Sequence, residues 1–263
     1  MLLAIDIGNT NIVLGVFDGQ TLVHSWRLTT LRERTSDEAG LLMSQLLERA
    51  NIAVGAIDGV VMASVVPPLT ASVIEMSERY LGHRPLNLEP GVNTGMPVLY
   101  DNPAEVGADR IVNSIAAYER FGRTRQLPLI VVDFGTATTF DAVSAAGEYL
   151  GGVICPGIQI SADALFQRAA RLPRIDVRKP AHVIGKTTVN SMQAGLFFGY
   201  IGMVEGLVTR MRAELGGAAY CVATGGLASV IAPETSVIEA VDKDLTLTGL
   251  RLVWERNPGN GLR

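Results

Sequence analysis

The sequence predicts an α/β protein built from two like-folded halves, and three observations lead there. The stretch LLAIDIGNTNIVLGVFDG near the start is matched by LIVVDFGTATTFDAVSAAG in the second half. Each runs apolar strand, Asp, apolar residue, Gly, a turn rich in small polar residues, a second strand and a turn glycine. A second pair, VVMASVVPPLTASVI and YCVATGGLASVI, reads strand, small-residue turn, helix in both copies. Around these, short strand-like runs alternate with segments whose apolar residues recur at helical spacing. Internal repetition reports architecture. The two halves, residues 1–122 and 123–263, are therefore expected to face each other, with FGRTRQLP as the junction.

Taken in order, Leu2–Ile7 is a short β run and Ile12–Phe17 follows it. Asp18-Gly19 marks a hairpin turn, and Thr21–Leu28 reads as a third strand. Ser36 is a plausible N-cap for a helix to about Ala50. Val60–Val66 is strand-like and stops at Pro67-Pro68, with a helix to about Leu81 beyond. A further helix covers roughly Ala104 to Phe121. The pattern then restarts with strands at Leu129–Phe134, Thr138–Val143 and Tyr149–Ile154. Helices are expected at Ile160–Ala170 and Val189–Leu215, a strand at Tyr220–Ala223, and a helix over Leu245–Trp254.

Composition narrows the function classes. With 263 residues, 48% hydrophobic and 18% charged, the chain reads as an ordinary globular protein. Its net charge of −4 lacks the basic face that nucleic acid requires. The nearest feature is Arg168, Arg171, Arg174, Arg178 and Lys179, which reads as a solvated helix face or as a rim attracting an anionic substrate. Two distant cysteines, Cys155 and Cys221, make neither a metal spacing nor a disulfide framework, so a reduced, cytoplasmic setting is expected. The apolar start is broken by Asp6 and has no basic n-region. The apolar stretch Val189–Val208 contains Asn190, Gln193 and Glu205, which suits a buried helix and not a membrane span. Its glycines, Gly195, Gly199, Gly202 and Gly206, allow close helix packing, within the subunit or across a dimer.

The chemistry concentrates in three motifs. In Asp6-Ile7-Gly8-Asn9-Thr10-Asn11, Gly8 permits a tight turn, and the turn's N–H groups and side-chain donors can cradle phosphate oxygens. Asp6 beside it can hold a hydrated Mg²⁺. The same residues would also make a plain hairpin turn with Asp and Asn capping backbone groups. The second motif, Asp133-Phe134-Gly135-Thr136-Ala137-Thr138-Thr139, repeats the arrangement, and two such turns can grip a polyphosphate from both sides. The third is Gly107-Ala108-Asp109-Arg110, after Tyr100-Asp101-Asn102-Pro103. Asp109 is a candidate base and Arg110 a candidate clamp for an anion, which Arg binds in bidentate fashion. Read alone, the tetrapeptide would also serve as a surface pair at a helix start. Gly185-Lys186-Thr187 imitates the tail of a Walker A loop, but that loop needs glycine where Pro180 stands. No Gly-x-Gly-x-x-Gly follows a strand.

The two turns, with Thr224-Gly225-Gly226 after a later strand, resemble the superfamily of acetate and sugar kinases, heat-shock chaperones and actin. That resemblance implies duplicated ribonuclease-H-like domains, each a mixed five-stranded sheet flanked by helices. Over nearly its whole length the chain resembles the type III pantothenate kinases. The matching pieces are DIGNTN, YDNPAEVGADR, VVDFGTATTFD, GGVICPGI, GKTT and ATGG, in that order. The resemblance implies transfer of the ATP γ-phosphate to the primary hydroxyl of pantothenate, the first step towards coenzyme A. It implies that Asp6, Ile7, Gly8, Asn9, Thr10, Asn11, Ile12 and Val13 form the ATP phosphate loop, with Thr136 touching ATP. Asp109 would accept the hydroxyl proton, while Tyr100, Gly107, Ala108, Asp109 and Arg110 would line the pantothenate pocket. Asp133 would bind a monovalent cation, K⁺ or NH₄⁺, and Asp6 would hold Mg²⁺ through water. The family commonly has GKNT where this chain has GKTT, so Thr188 is the better match for the substrate contact and Thr187 is the departure. Family members are dimers, and a homodimer is expected, with no nucleic-acid or membrane partner. Two other readings remain open at this point: a superfamily kinase with another small acceptor, and a non-catalytic regulatory relative.

Overall fold

The computed structural model describes residues 1–259. In chain order its elements are β1 (Leu2–Ile7), β2 (Asn11–Asp18), β3 (Thr21–Thr29), α1 (Ser36–Arg49), β4 (Gly59–Ser64), α2 (Pro67–Met76) and β5 (Leu86–Asn87). They continue with α3 (Ala108–Ala117), α4 (Arg123–Arg125), β6 (Leu129–Phe134), β7 (Ala137–Val143), β8 (Tyr149–Pro156), α5 (Ile158–Arg168) and α6 (Thr188–Glu214). The last are β9 (Tyr220–Gly225), α7 (Ala228–Ile231), β10 (Ala240–Val241) and α8 (Leu245–Glu255).

The duplication read from the repeats is present strand for strand. One sheet has the order β3-β2-β1-β4-β5 and the other β10-β9-β6-β7-β8, the same topology listed from opposite edges. Even the register repeats. Asp6 of β1 lies opposite Val13 in antiparallel β2 and Ala63 in parallel β4. Asp133 of β6 lies opposite Thr139 in β7 and Thr224 in parallel β9. Both sheets are mixed and flanked by helices, the architecture expected from the sequence.

The chain divides into two compact units, Met1–Pro97 with Asp101–Ala116 and the stretch from Asp244, and Val98–Tyr100 with Ala117–Lys243. This division differs from a cut after residue 122. Residues from Asp244 return to the first unit, and Val98–Tyr100 joins the second, where the Leu99 N–H donates to the Tyr149 carbonyl at 2.8 Å. Helical periodicity shows that α8 has an apolar face, but not which sheet that face covers.

In the first unit, Leu3, Ile5 and Ile7 of β1 pack with Met43 and Leu47 of α1 and Leu69, Val73 and Met76 of α2. Alternation sends the other residues of β1 to the opposite face, where α8 packs. There Gly15 and Gly59 admit the side chains of Leu247 and Trp254. Burial on both faces explains why β1 and β4 read as continuous apolar runs. In the second unit, Ile130, Val132 and Phe134 of β6 pack with Phe197, Ile201 and Val204 of α6.

Some element ends differ from the sequence reading. The N-cap of α1 is Thr35, not Ser36. The Thr35 hydroxyl accepts the Glu38 N–H at 3.3 Å while the Glu38 carboxylate accepts the Thr35 N–H at 2.9 Å, a reciprocal capping box. The single helix expected over Ala104–Phe121 is a 3₁₀ turn at Pro103–Glu105, an extended Val106, then α3 and a π-helical turn at Tyr118–Gly122. The two-residue strands β5 and β10 are too short to leave a period in the sequence. Among the described residues no helix is long and apolar enough to cross a membrane.

Candidate active site

The first turn sits at the end of β1. The Gly8 N–H donates to the Asn11 carbonyl at 3.0 Å, and the Thr30 hydroxyl donates to the Gly8 carbonyl at 2.7 Å. The turn is thus braced by the residue that follows β3, and Asn9 and Thr10 are left exposed. Asp6 is half-buried at the penultimate position of β1. A carboxylate at this place suits Mg²⁺, which takes one or two carboxylates and fills its shell with water and substrate phosphate.

The same unit carries Gly107–Arg110 at the start of α3. Asp109 lies in the first helical turn, half-buried, with Oδ1 accepting the Arg110 N–H at 2.9 Å. Gly107 leaves room for this carboxylate, since a Cβ there would stand 2.5 Å from Asp109 Oδ1. Arg110 is buried, and its carbonyl accepts the Ser114 hydroxyl at 2.8 Å. Helix α3 is anchored to α8 at two points. A Cβ on Gly249 would meet the Val112 carbonyl oxygen at 2.1 Å, and the Thr246 hydroxyl donates to Asn113 Oδ1 at 2.7 Å. The C-terminal helix therefore positions the candidate base, a role its sequence did not reveal.

The second turn belongs to the other unit. It is one residue shorter than the first: Phe134 pairs with Thr138 across residues 135–137, whereas Ile7 pairs with Ile12 across residues 8–11. Two glycines crowd it. Gly225, at φ +91°, would place a Cβ 2.4 Å from Asp133 Oδ1 and 2.7 Å from the Phe134 backbone, so its missing side chain lets the carboxylate pack directly on β9. Gly157 would place a Cβ 2.1 Å from the Thr136 carbonyl oxygen and 2.9 Å from that of Gly135. The half-buried Asp133 carboxylate offers the oxygen donor type that a hard cation takes. Among the described residues no group of three or more His, Cys, Asp or Glu side chains could hold a metal. A cation at either Asp would draw its other ligands from water, backbone carbonyls or phosphate. Thr136 is exposed at the tip of its turn.

Tyr100 also lies in the second unit. Its ring packs on Tyr149 at 6.3 Å between centroids and lies over Gly151. The Tyr149 hydroxyl in turn donates to the fully buried Asp141 at 2.8 Å, which fixes the platform under Tyr100. At the head of α6, Thr187 is the N-cap and its hydroxyl accepts the Asn190 N–H at 3.2 Å. Gly185 packs on the backbone of Asn190 and Ser191. Gly185-Lys186-Thr187 is therefore a helix cap and not part of a Walker A loop. Asn and Thr both serve as N-caps, so the departure at Thr187 keeps the local structure. Thr187→Ala should cost about 1 kcal/mol and Thr187→Asn almost nothing, checked by urea unfolding. Equal stability of the two variants would remove the capping role.

The expected site residues thus divide between the units. Asp6 to Val13 and Gly107 to Arg110 are in the first, and Tyr100, Asp133, Thr136 and Thr188 in the second. Of the basic run, Arg174 pairs with Asp163 and Lys179 with Glu234. Sequence reasoning missed the structural role of Gly157, although it lies in the matching piece GGVICPGI as part of a Pro-Gly pair closing a strand.

A relative from Myxococcus xanthus, named type III pantothenate kinase, is 59% identical over 257 residues, covering 98% of this chain and 99% of its own. One of the same name from Moorella thermoacetica is 58% identical over 98% of this chain and 100% of its own. Among solved structures, a Campylobacter jejuni protein described as a Baf family transcriptional activator matches with TM-score 0.60 at 22% identity, covering 97% of this chain and 98% of that one. A polyphosphate/ATP-glucomannokinase from Arthrobacter sp. strain KM matches with TM-score 0.51 at 14% identity, covering 97% and 99%. At those identities the structures show the fold alone, the actin-like kinase fold. The family profile described as type III pantothenate kinase matches residues 2–210, and with this the chain belongs to the type III pantothenate kinase family.

Proposed function

We propose that this protein transfers the γ-phosphate of ATP to the primary hydroxyl of pantothenate, giving 4′-phosphopantothenate for coenzyme A synthesis. The observation that carries this reading is near-full-length identity of 58–59% to two proteins named for that activity. The twin Asp–Gly turns support a nucleotide donor, since each sets a carboxylate one residue before the end of a central strand, next to a turn exposed at its tip.

Phosphoryl transfer leaves little covalent work for a protein, so positioning and charge neutralisation dominate. Residues Asp6 to Val13 bind the ATP phosphates, and Thr136 contacts the nucleotide from the second turn. Asp109 orients the acceptor hydroxyl and takes its proton. A carboxylate is a weak base, which a loose transition state with late proton transfer tolerates. Tyr100 and Gly107 to Arg110 line the acceptor pocket, with Arg110 pairing with the substrate carboxylate or the product phosphate. Thr188 contacts pantothenate, since it stands where the family's GKNT motif has its threonine, while the Thr187 hydroxyl accepts the Asn190 N–H in the helix cap. Asp6 would hold Mg²⁺ through water and Asp133 would hold a monovalent cation, K⁺ or NH₄⁺. When bound, these ions neutralise charge on the phosphates and on the group in transfer.

The protein works in the cytoplasm as a homodimer. Two features support the dimer. Gly195, Gly199 and Gly202 form an exposed row on α6 with nothing within 4 Å of an added Cβ. Large apolar side chains, Ile154 at 64%, Val183 at 66% and Ile184 at 83% exposed, lie in the same unit.

The test is ADP release with MgATP and pantothenate, first in K⁺ and then in Na⁺ alone. Turnover is expected to need pantothenate and to fall at least about tenfold without K⁺, in line with loss of one charge-stabilising group. ATP binding without pantothenate-dependent turnover would move the assignment to another acceptor. Equal rates in both salts would remove the cation from Asp133.

A further inference from the structure

We propose that Tyr200 is a positioning residue for the second phosphate turn, holding Gly135 and Thr136 in place through one buried hydroxyl. The proposal rests on the kinase reading above, because it gives that turn the nucleotide and the cation.

Tyr200 lies on the core side of α6 and is 7% exposed, packed with Ile158, Met192 and Leu196. Its hydroxyl has two partners, the carbonyl of Pro156 and, at 3.2 Å, Thr138 Oγ1. A phenol has one hydrogen and a carbonyl can only accept, so Tyr200 donates to Pro156 and Thr138 donates to Tyr200. Burial pushes the Tyr200 phenol upward in pKa, opposed by the Thr138 hydrogen bond, so it stays a donor at neutral pH.

The two partners flank the turn. Thr138 is the residue on which it closes, opposite Phe134. Pro156 ends β8 and precedes Gly157, whose backbone lies hard against the carbonyls of Gly135 and Thr136. One hydroxyl thus ties together the strand that leaves the turn and the segment that backs it. The β7–β8 ladder already pairs Thr138 with Cys155, so the fold does not depend on the phenol. The same ladder sets Pro156 opposite Ala137, so what the phenol adds is a further tie from α6 that holds Gly157 against the turn. That tie sets where the Thr136 backbone and the Asp133 carboxylate meet a ligand.

Tyr200→Phe keeps the ring and removes both hydrogen bonds, and Thr138→Val keeps the shape and removes only the Thr138 bond, leaving the Tyr200 hydroxyl on the Pro156 carbonyl. Both are measured as full-length protein, for rate against ATP, rate against K⁺ and rate against pantothenate. The loss of these buried hydrogen bonds, two in Tyr200→Phe and one in Thr138→Val, predicts a rise of about threefold to tenfold in KM for ATP and in the K⁺ concentration for half-activation, the larger in Tyr200→Phe. Less than about a twofold change is expected in KM for pantothenate. The double variant should be no worse than Tyr200→Phe alone, because that change already removes both bonds. Unchanged ATP and K⁺ dependence in both variants, with only a lower melting temperature, would overturn the proposal. So would an effect confined to pantothenate. Equilibrium ATP binding without acceptor reads the same effect. An unmodified protein that binds ATP but does not phosphorylate pantothenate would therefore count against the proposed reaction and not against the role of Tyr200.

Discussion

Asp109→Asn is expected to lower pantothenate turnover by about two to four orders of magnitude, the range for loss of a positioned proton acceptor, with ATP affinity and fold retained. The geometry explains why the change is clean. Asp109 Oδ1 accepts the Arg110 N–H at 2.9 Å in the first turn of α3, and an amide oxygen can accept the same bond. The clearance at Gly107, which suits the carboxylate, suits an amide of the same size. The helix is held independently by Gly249 against Val112 and by Thr246 on Asn113. What asparagine cannot do is carry the negative charge that orients the hydroxyl or take its proton. Single-turnover rates, ATP titration and thermal unfolding measured together check this. Near-normal turnover in the variant would take Asp109 out of the role of base and return attention to positioning alone.

Gly157→Ala is expected to weaken ATP binding by more than tenfold and to destabilise the protein by about 1–3 kcal/mol, the usual range for forced overpacking. An alanine Cβ would stand 2.1 Å from the Thr136 carbonyl oxygen and 2.9 Å from that of Gly135. Both obstacles are backbone, so no side chain can swing away. Either the turn or the end of β8 must move, and Thr136 moves with it. Gly55→Ala is the control, because an added Cβ there meets nothing within 4 Å. It should leave both properties close to the parent protein. A Gly157→Ala protein with parental ATP affinity would mean that the second turn does not touch the nucleotide. The two substitutions separate the proposed roles: the first acts on the chemical step with binding intact, the second on donor binding.

Much of the fold was legible in the linear chain. Asp6 and Asp133 stand at matching points of a repeated pattern, and that repeat became two sheets of one topology with equivalent registers. Strand and turn signals are local: apolar runs of five to eight residues and glycine turns need no knowledge of distant segments. The capping residue of α1 was misjudged by one position, because the reciprocal bond to Glu38 selects Thr35 over Ser36 and both are good caps. The order of motifs sufficed to mark the family, and the family model and near-full-length relatives agree. The rest depended on contacts between residues far apart in the chain. That α8 returns to the first unit and holds α3, that Tyr100 joins the second unit through Tyr149, and that Gly157 and Tyr200 brace the second turn are facts of packing across tens to more than a hundred residues. A helix's apolar face declares that it will be buried, but the partner it finds is set by the shape and depth of the surface it meets, which exists only once the sheets have formed.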